Sequence, residues 1–196
     1  SVAAEKEGDT HLGVVKVPDP RLDAMAALLH PKKVTPAEVR YLDLAVPLKD
    51  HVPGRGLSSQ YLAAMGKVDA LIQVVRAFAD PTIPHDEGAV DPERDIAAME
   101  LELAFSDMAL IERRIERIET SLKAAKPPER EAGLKEVSLL QRIKAELERE
   151  VPLRGQALSE EEARTIANYA FLTQKPLLIL VNRGEESLPR AAELEP

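Results

Sequence analysis

One carboxylate and one amide stand out by where the chain puts them. Asp43 lies near the end of a short apolar run, Val39-Arg-Tyr-Leu-Asp-Leu-Ala45. A Pro/Gly loop holding Pro53, Gly54 and Gly56 then leads to a new apolar pattern that opens near Leu57. Such a run reads as a strand, and an acid at its end stands at the carboxyl edge of a sheet, where α/β folds bind ligands. In phosphate-hydrolysing folds an Asp in this place holds the Mg²⁺ of a bound nucleotide, and Gly54 and Gly56 permit a loop that closes on a ligand. The alternative is an Asp that caps a turn. Asn182 follows a second apolar run, Leu177-Leu-Ile-Leu-Val181, with Glu185 three residues on. An amide and a carboxylate displayed there suit the reading of a nucleobase edge by hydrogen bonds; the alternative is a polar turn around Gly184.

Other chemistries find less support. The four histidines, His11, His30, His51 and His85, include no pair at i, i+4 ligand spacing. His51 and His85 could reach a ligand over the sheet edge or simply be solvated. With no cysteine in the chain, disulfides, Cys-zinc sites and thiol catalysis are excluded. No Ser-His-Asp order and no paired catalytic carboxylates stand out. A phosphate-cradling loop needs Gly-x-x-x-x-Gly-Lys-Ser/Thr, because its backbone amides and Lys together neutralise phosphate charge. The Gly66-Lys67 pair has Tyr61 where the first Gly is needed and Val68 where the hydroxyl is needed.

The elements that must position these residues follow from patterning. The chain has 196 residues, 44% of them hydrophobic, with aromatics at only 3%, so its core is built from Leu, Ile, Val and Ala. Residues 1–10 read as a frayed lead-in. Strands are predicted over 12–17, 39–45, 69–78 and 177–181, and helices over 21–29, with Asp19 as cap and Pro20 first, and over 57–66. The last two strands are near-continuous apolar runs of the kind covered on both faces in a parallel sheet. From Asp91-Pro92 the period changes: Leu101, Met108, Ile111, Ile115, Ile118 and Leu122 line one helix face, with steps of 3-4-3-4 from Met108 onward. Pro127-Pro128 breaks this helix, and Val137, Leu140, Ile143 and Leu147 line the next. Two such helices make an antiparallel hairpin, with Glu112, Arg113, Arg114, Glu116 and Arg117 on its outer faces, either a solvated surface or a docking arm for a large partner. Ser159 and Glu162 form a capping box that opens a helix to about Leu172. The net charge of −8 argues against direct duplex DNA binding. No apolar run reaches the 18 or more residues of a membrane span, and no signal-peptide pattern is present, so a cytoplasmic protein is expected.

In order along the chain, these motifs resemble the Obg-like ATPase (YchF-type) family of P-loop NTPases, in the translation-factor-related class. The resemblance rests on Val14-Val-Lys-Val-Pro-Asp-Pro-Arg-Leu-Asp23, on Lys32-Lys-Val-Thr-Pro36 leading into Asp43-Leu-Ala45, and on Gly54-Arg-Gly-Leu57. It continues through Val68–Phe78, His85 and Val90-Asp-Pro92 to Glu100-Leu-Glu-Leu-Ala104, Phe171-Leu-Thr-Gln-Lys-Pro176 and Asn182-x-x-Glu185. It covers roughly residues 12–189.

The resemblance implies an incomplete P-loop NTPase-type α/β domain, a doubly wound and mostly parallel sheet, with an inserted antiparallel coiled-coil hairpin. The G-domain portions would be 1–90 and 151–196 and the insertion 91–150. It also implies purine nucleotide (ATP or GTP) binding with Mg²⁺, hydrolysis in the complete protein, and ribosome association. Asp43 would support the metal indirectly, Asn182 and Glu185 would read the base, and residues 46–59, with Gly54 and Gly56, would form the switch. The family's first strand and Walker A loop, and its TGS domain, are expected to be missing here. Val46 stands where the switch glycine belongs, and Asp50 replaces a second one. Both departures point to an alternative, a degenerate non-hydrolysing binding module that works through its coiled coil. A sheet without its first strand leaves apolar surface that a homodimer would cover.

Overall fold

The computed structural model describes residues 3–7, 10–44, 57–80, 82, 89–124 and 126–184. The chain divides into two compact units, Ser1–Asp50 and His51–Pro196.

In the first unit, β1 (Ala3–Glu7), β2 (Thr10–Lys16) and β3 (Glu38–Leu44) form a sheet in that order. The second and third lie where β-branched runs predict strands, yet they pair antiparallel rather than parallel. The connection explains this. Helix α1 (Pro20–Leu29) is an excursion at the end of a long hairpin, because the Val17 N–H donates to the Ala37 carbonyl at 2.8 Å and the strands continue back from that bond. The helix begins as its residues dictate, with Asp19 accepting from the Arg21 N–H at 3.0 Å and Pro20 in the first turn. It ends at His30, whose φ of 44° is left-handed, just before Pro31. Strand β1 corrects the expectation of a frayed start, for it pairs with β2 from Ala3↔Val14 to Glu7↔Thr10. Its Ala-Ala-Glu-Lys-Glu sequence carries no apolar alternation to announce a strand. The backbone ladder makes it one, and a charged sequence is typical of an edge.

In the second unit, α2 (Ser59–Gly66) leads into β4 (Leu71–Arg76), which pairs in parallel with β5 (Leu177–Asn182), from Leu71↔Leu177 to Arg76↔Asn182. The two apolar runs pair in parallel as expected, but among the described residues they are not covered on both faces, since Ile72, Val74, Leu178 and Leu180 are exposed. Between these strands lie α3 (Pro92–Leu122) and α4 (Pro127–Leu147), packed antiparallel along their length. Gly133 of α4 permits a close approach: a Cβ added there would meet Leu122 Cδ2 at 2.8 Å. Val137, Leu140, Ile143 and Leu147 are all buried, against Ala104, Ile111 and Ile118 of α3. Burying each such side chain stabilises the fold by roughly 1.5–3 kcal/mol.

The expected stripe fails at its amino end. Leu101 is exposed, while Leu103, Ala104 and Asp107 are buried. There α3 also packs against β4, where the Gln73 amide donates to the Asp95 carbonyl at 2.9 Å, and Leu101 lies about 200° around the helix from Leu103. Arg114, with its side chain 40% exposed, reaches across the hairpin to pair with Glu136 of α4.

Helix α5 (Glu160–Ile166) has the predicted capping box: Ser159 Oγ accepts from the Glu162 N–H at 3.2 Å, and Glu162 accepts from the Ser159 N–H at 2.9 Å. It stops well short of Leu172, passing through a 3₁₀ turn, Ala167–Tyr169, to a left-handed Ala170 (φ 52°). Ser159→Ala should lower stability by about 1 kcal/mol in thermal or urea unfolding. The backbone hydrogen bond with Ser159 helps hold the Glu162 carboxyl below its ordinary 4.5. Its contribution is therefore present above that value and lost as the pH falls through the lowered one.

Candidate functional site

In the first unit, Asp43 is the penultimate residue of β3, and its side chain is exposed. The antiparallel register puts it directly opposite His11, where side chains of facing residues lie on the same side of the sheet. No sequence spacing signals that pairing, which comes from the register alone. Asp43 is thus an oxygen donor paired in register with a histidine, and no group of three or more potential metal ligands occurs among the described residues.

In the second unit, Asn182 ends β5 at the carboxyl edge of the parallel pair. Its carbonyl accepts from the Ala77 N–H at 2.8 Å, and its side chain is exposed. Its register partner Arg76 is held in place by backbone acceptors. Nε donates to the Phe78 carbonyl at 2.9 Å, Nη2 to the Asp80 carbonyl at 3.2 Å, and the guanidinium lies 4.9 Å from the Phe78 ring centre. Gly184 runs close over the same ring, since a Cβ there would approach Phe78 Cβ to 3.2 Å. Asp80 closes the next turn by accepting from the Thr82 hydroxyl at 2.6 Å and from its N–H at 2.8 Å. These bonds hold its carboxyl below the ordinary range. The edge therefore offers an exposed amide, donor and acceptor in one group, beside a fixed cation. Asp43 and Asn182 belong to different units. Gly54, Gly56 and Glu185, like Val46, Asp50, His51 and His85, lie outside the described residues.

Two polar clusters, one buried and one partly buried, escaped the sequence reading. Asp107 of α3, 3% exposed, accepts from the Leu172 N–H at 2.9 Å, the Thr173 N–H at 2.8 Å and the Thr173 hydroxyl at 2.6 Å. Burial pushes its carboxyl upward, and the hydrogen bonds from Thr173 and Leu172 and the nearby Lys175 charge only partly offset it. The signal lay in the helical wheel: a lone Asp on the α3 face four residues from Leu103 and Ile111. The second cluster joins α3, α4 and the turn after α5. Arg114 donates to both oxygens of Glu136, at 2.9 and 3.2 Å, and the Tyr169 hydroxyl donates to the same carboxylate. Burial raises Glu136, but its bonds from Arg114 and Tyr169 outweigh that and hold it low. Tyr169, partly buried and bonded to Glu136, is pushed up to about 12.

No family model matches the chain, but known proteins do. Over 180 residues it is 37% identical to the ribosome-binding ATPase YchF of Bacillus subtilis, covering 92% of this chain and 48% of that protein. Over 178 residues it is 34% identical to Obg-like ATPase 1 of Schizosaccharomyces pombe, covering 90% of this chain and 45% of that one. Among solved structures, the Schizosaccharomyces pombe YchF GTPase superposes with a TM-score of 0.76 at 33% identity, across 91% of this chain and 48% of that structure. The chain spans about half the length of the relatives it matches. Mixed α/β structure with a parallel strand pair is common ground with a P-loop NTPase-like fold. Across the residues aligned with them, the chain's homologues are proteins of the Obg-like ATPase (YchF-type) family.

Proposed function

We propose that this chain is part of a purine nucleotide-binding protein that takes ATP or GTP with Mg²⁺, hydrolyses it in the complete protein, associates with ribosomes and works in the cytoplasm. The observation that carries this reading is the 37% identity to a ribosome-binding ATPase across 92% of the chain. The exposed Asn182 at the carboxyl edge of the parallel pair supports it, since that edge is where folds of this kind bind ligands.

In this reading residues 1–90 and 151–196 are the nucleotide-binding portions, and α3 with α4 is a coiled-coil insertion within 91–150. Asn182 and Glu185 read the base, and Gly54 and Gly56 belong to the switch. Mg²⁺ takes few protein ligands and keeps waters and phosphate oxygens for the rest. An exposed carboxylate at a strand end suits that role, and Asp43 would hold the ion indirectly. Calorimetry with ATP and with GTP, each with Mg²⁺, on the protein at its natural length tests the proposal; no heat of binding from either would overturn it. Asn182→Ala should weaken purine nucleotide binding about 10-fold, the loss of roughly one or two hydrogen bonds. An unchanged affinity would remove Asn182 from the site.

A second reading is a non-hydrolysing module acting through the helical hairpin, favoured by Val46 and Asp50 in place of switch glycines. It predicts no nucleotide binding by this chain, and micromolar binding of ATP or GTP would overturn it.

A further inference from the structure

Strand β5 has little in its own sequence to fix its register. Sliding Leu177-Leu-Ile-Leu-Val181 forward by two residues along β4 puts Leu177 in the place of Ile179, Leu178 in that of Leu180 opposite Val74 and Ile179 in that of Val181, each apolar side chain for another on the same face, while Leu180 takes the place of Asn182. Only a one-residue slip is penalised by exchanging the faces. A two-residue slip would carry Asn182 about 6.6 Å along the sheet, away from Arg76. Within the local sequence only Pro176, which would enter the ladder opposite Ile72, opposes that slip, so contacts from outside the strand help to set the position of Asn182.

The segment just before β5 is held by three parts of the second unit. Asp107 of α3 accepts from the consecutive N–H groups of Leu172 and Thr173 and from the Thr173 hydroxyl. The turn after α4 holds the same residue, with the Leu153 N–H donating to Thr173 Oγ1 at 3.3 Å and the Arg154 N–H to its carbonyl at 3.0 Å. Two residues on, the Lys175 ammonium donates to the carbonyls of Gly66, at 3.1 Å, and Val68, which precede β4. Among the polar side chains of these anchors, Asp107 and Thr173 are the buried ones.

We propose that Asp107 is a positioning residue for the far end of β5: by clamping the Leu172–Thr173 turn to α3 it fixes the register that sets Asn182 beside Arg76. That Asn182 meets a base rests on the function proposed above; that Asp107 fixes the register does not.

Because the chain has no cysteine, paired cysteines can report the register without background. Val74→Cys with Leu180→Cys occupies a native cross-strand pair on the exposed face, within disulfide reach. Val74→Cys with Leu178→Cys lies roughly 8 Å apart and becomes bridgeable only after a slip. With Asp107 present, mild oxidation should link the first pair and not the second. With Asp107→Asn or Thr173→Val the second should link as well, and Thr173→Ser should restore the native pattern. Both substitutions keep the volume of the side chain, so they carry the test if Asp107→Ala does not fold. An unchanged pattern in both overturns the proposal. In the protein at its natural length, Asp107→Asn should also weaken ATP or GTP binding about as much as Asn182→Ala. A shifted cross-linking pattern with unchanged nucleotide affinity would leave the register role standing and overturn the reading of Asn182 as a base contact.

Discussion

Asp107→Ala should lower the unfolding free energy of the second unit by about 3–5 kcal/mol, because it leaves two backbone N–H groups and a hydroxyl without their acceptor in a buried site. The two amides, on Leu172 and Thr173, belong to residues only 4% and 2% exposed, so water cannot readily replace the lost carboxylate. Thr173→Val removes a single hydroxyl and should cost less, about 1–2 kcal/mol. The pH dependence has a definite sign. Burial raises the Asp107 carboxyl above its ordinary 3.8, so the folded state holds that proton more tightly than the unfolded chain. Its titration therefore adds stability that is fully present below 3.8 and lost as the pH rises through the raised folded value. The gap between the parent protein and Asp107→Ala should accordingly be wider near pH 4 than near pH 7. Urea unfolding followed by far-ultraviolet circular dichroism at both values measures it. A penalty under about 1 kcal/mol would show that Asp107 contributes little to holding the turn before β5.

Much of the local structure was legible because it depends on neighbours in the chain. Asp19 with Pro20, Asp91 with Pro92, and Ser159 with Glu162 each start a helix where their chemistry says one must start. The i, i+3 and i, i+4 spacing of Val137, Leu140, Ile143 and Leu147 named the buried face of α4 correctly. What was not legible depends on partners distant in sequence. β1 is a strand because of β2, and nothing in Ala-Ala-Glu-Lys-Glu announces it. Leu101 follows the heptad arithmetic and is nonetheless exposed, because α3 meets β4 as well as α4 along that stretch. Arg114 reads as one more surface charge until Glu136, 22 residues on, is brought beside it. The candidate site shows the same division. Asp43 and Asn182 could be picked out as polar residues closing apolar runs, whereas the His11 beside one and the Arg76 beside the other come from strand register. The buried Asp107 carboxylate, 65 residues from its nearest partner in sequence, was the least legible feature of all.

Phe171→Ala should be comparably damaging, at about 3–5 kcal/mol, and for the opposite physical reason. Phe171 is 1% exposed and among the largest fully buried side chains, joined in one core cluster with Leu140, Ile143 and Ile166; its ring centre lies 5.5 Å from that of Tyr169. It sits immediately before the two residues Asp107 holds, directly after the left-handed Ala170 that ends the preceding helical turn. The polar clamp and the aromatic anchor thus act on adjacent residues of one turn, and removing either should loosen the other. The expected signature is non-additivity: Phe171→Ala combined with Asp107→Ala should cost measurably less than the sum of the two, by about 0.5–3 kcal/mol, as for residues coupled through shared backbone. Phe105→Ala supplies the control, since Phe105 is on α3 but 57% exposed, and its loss should fall within about 0.5 kcal/mol of zero. Full additivity of the two large substitutions would mean that Asp107 and Phe171 stabilise the fold independently. The turn before β5 would then be two separate contacts rather than one cooperative anchor.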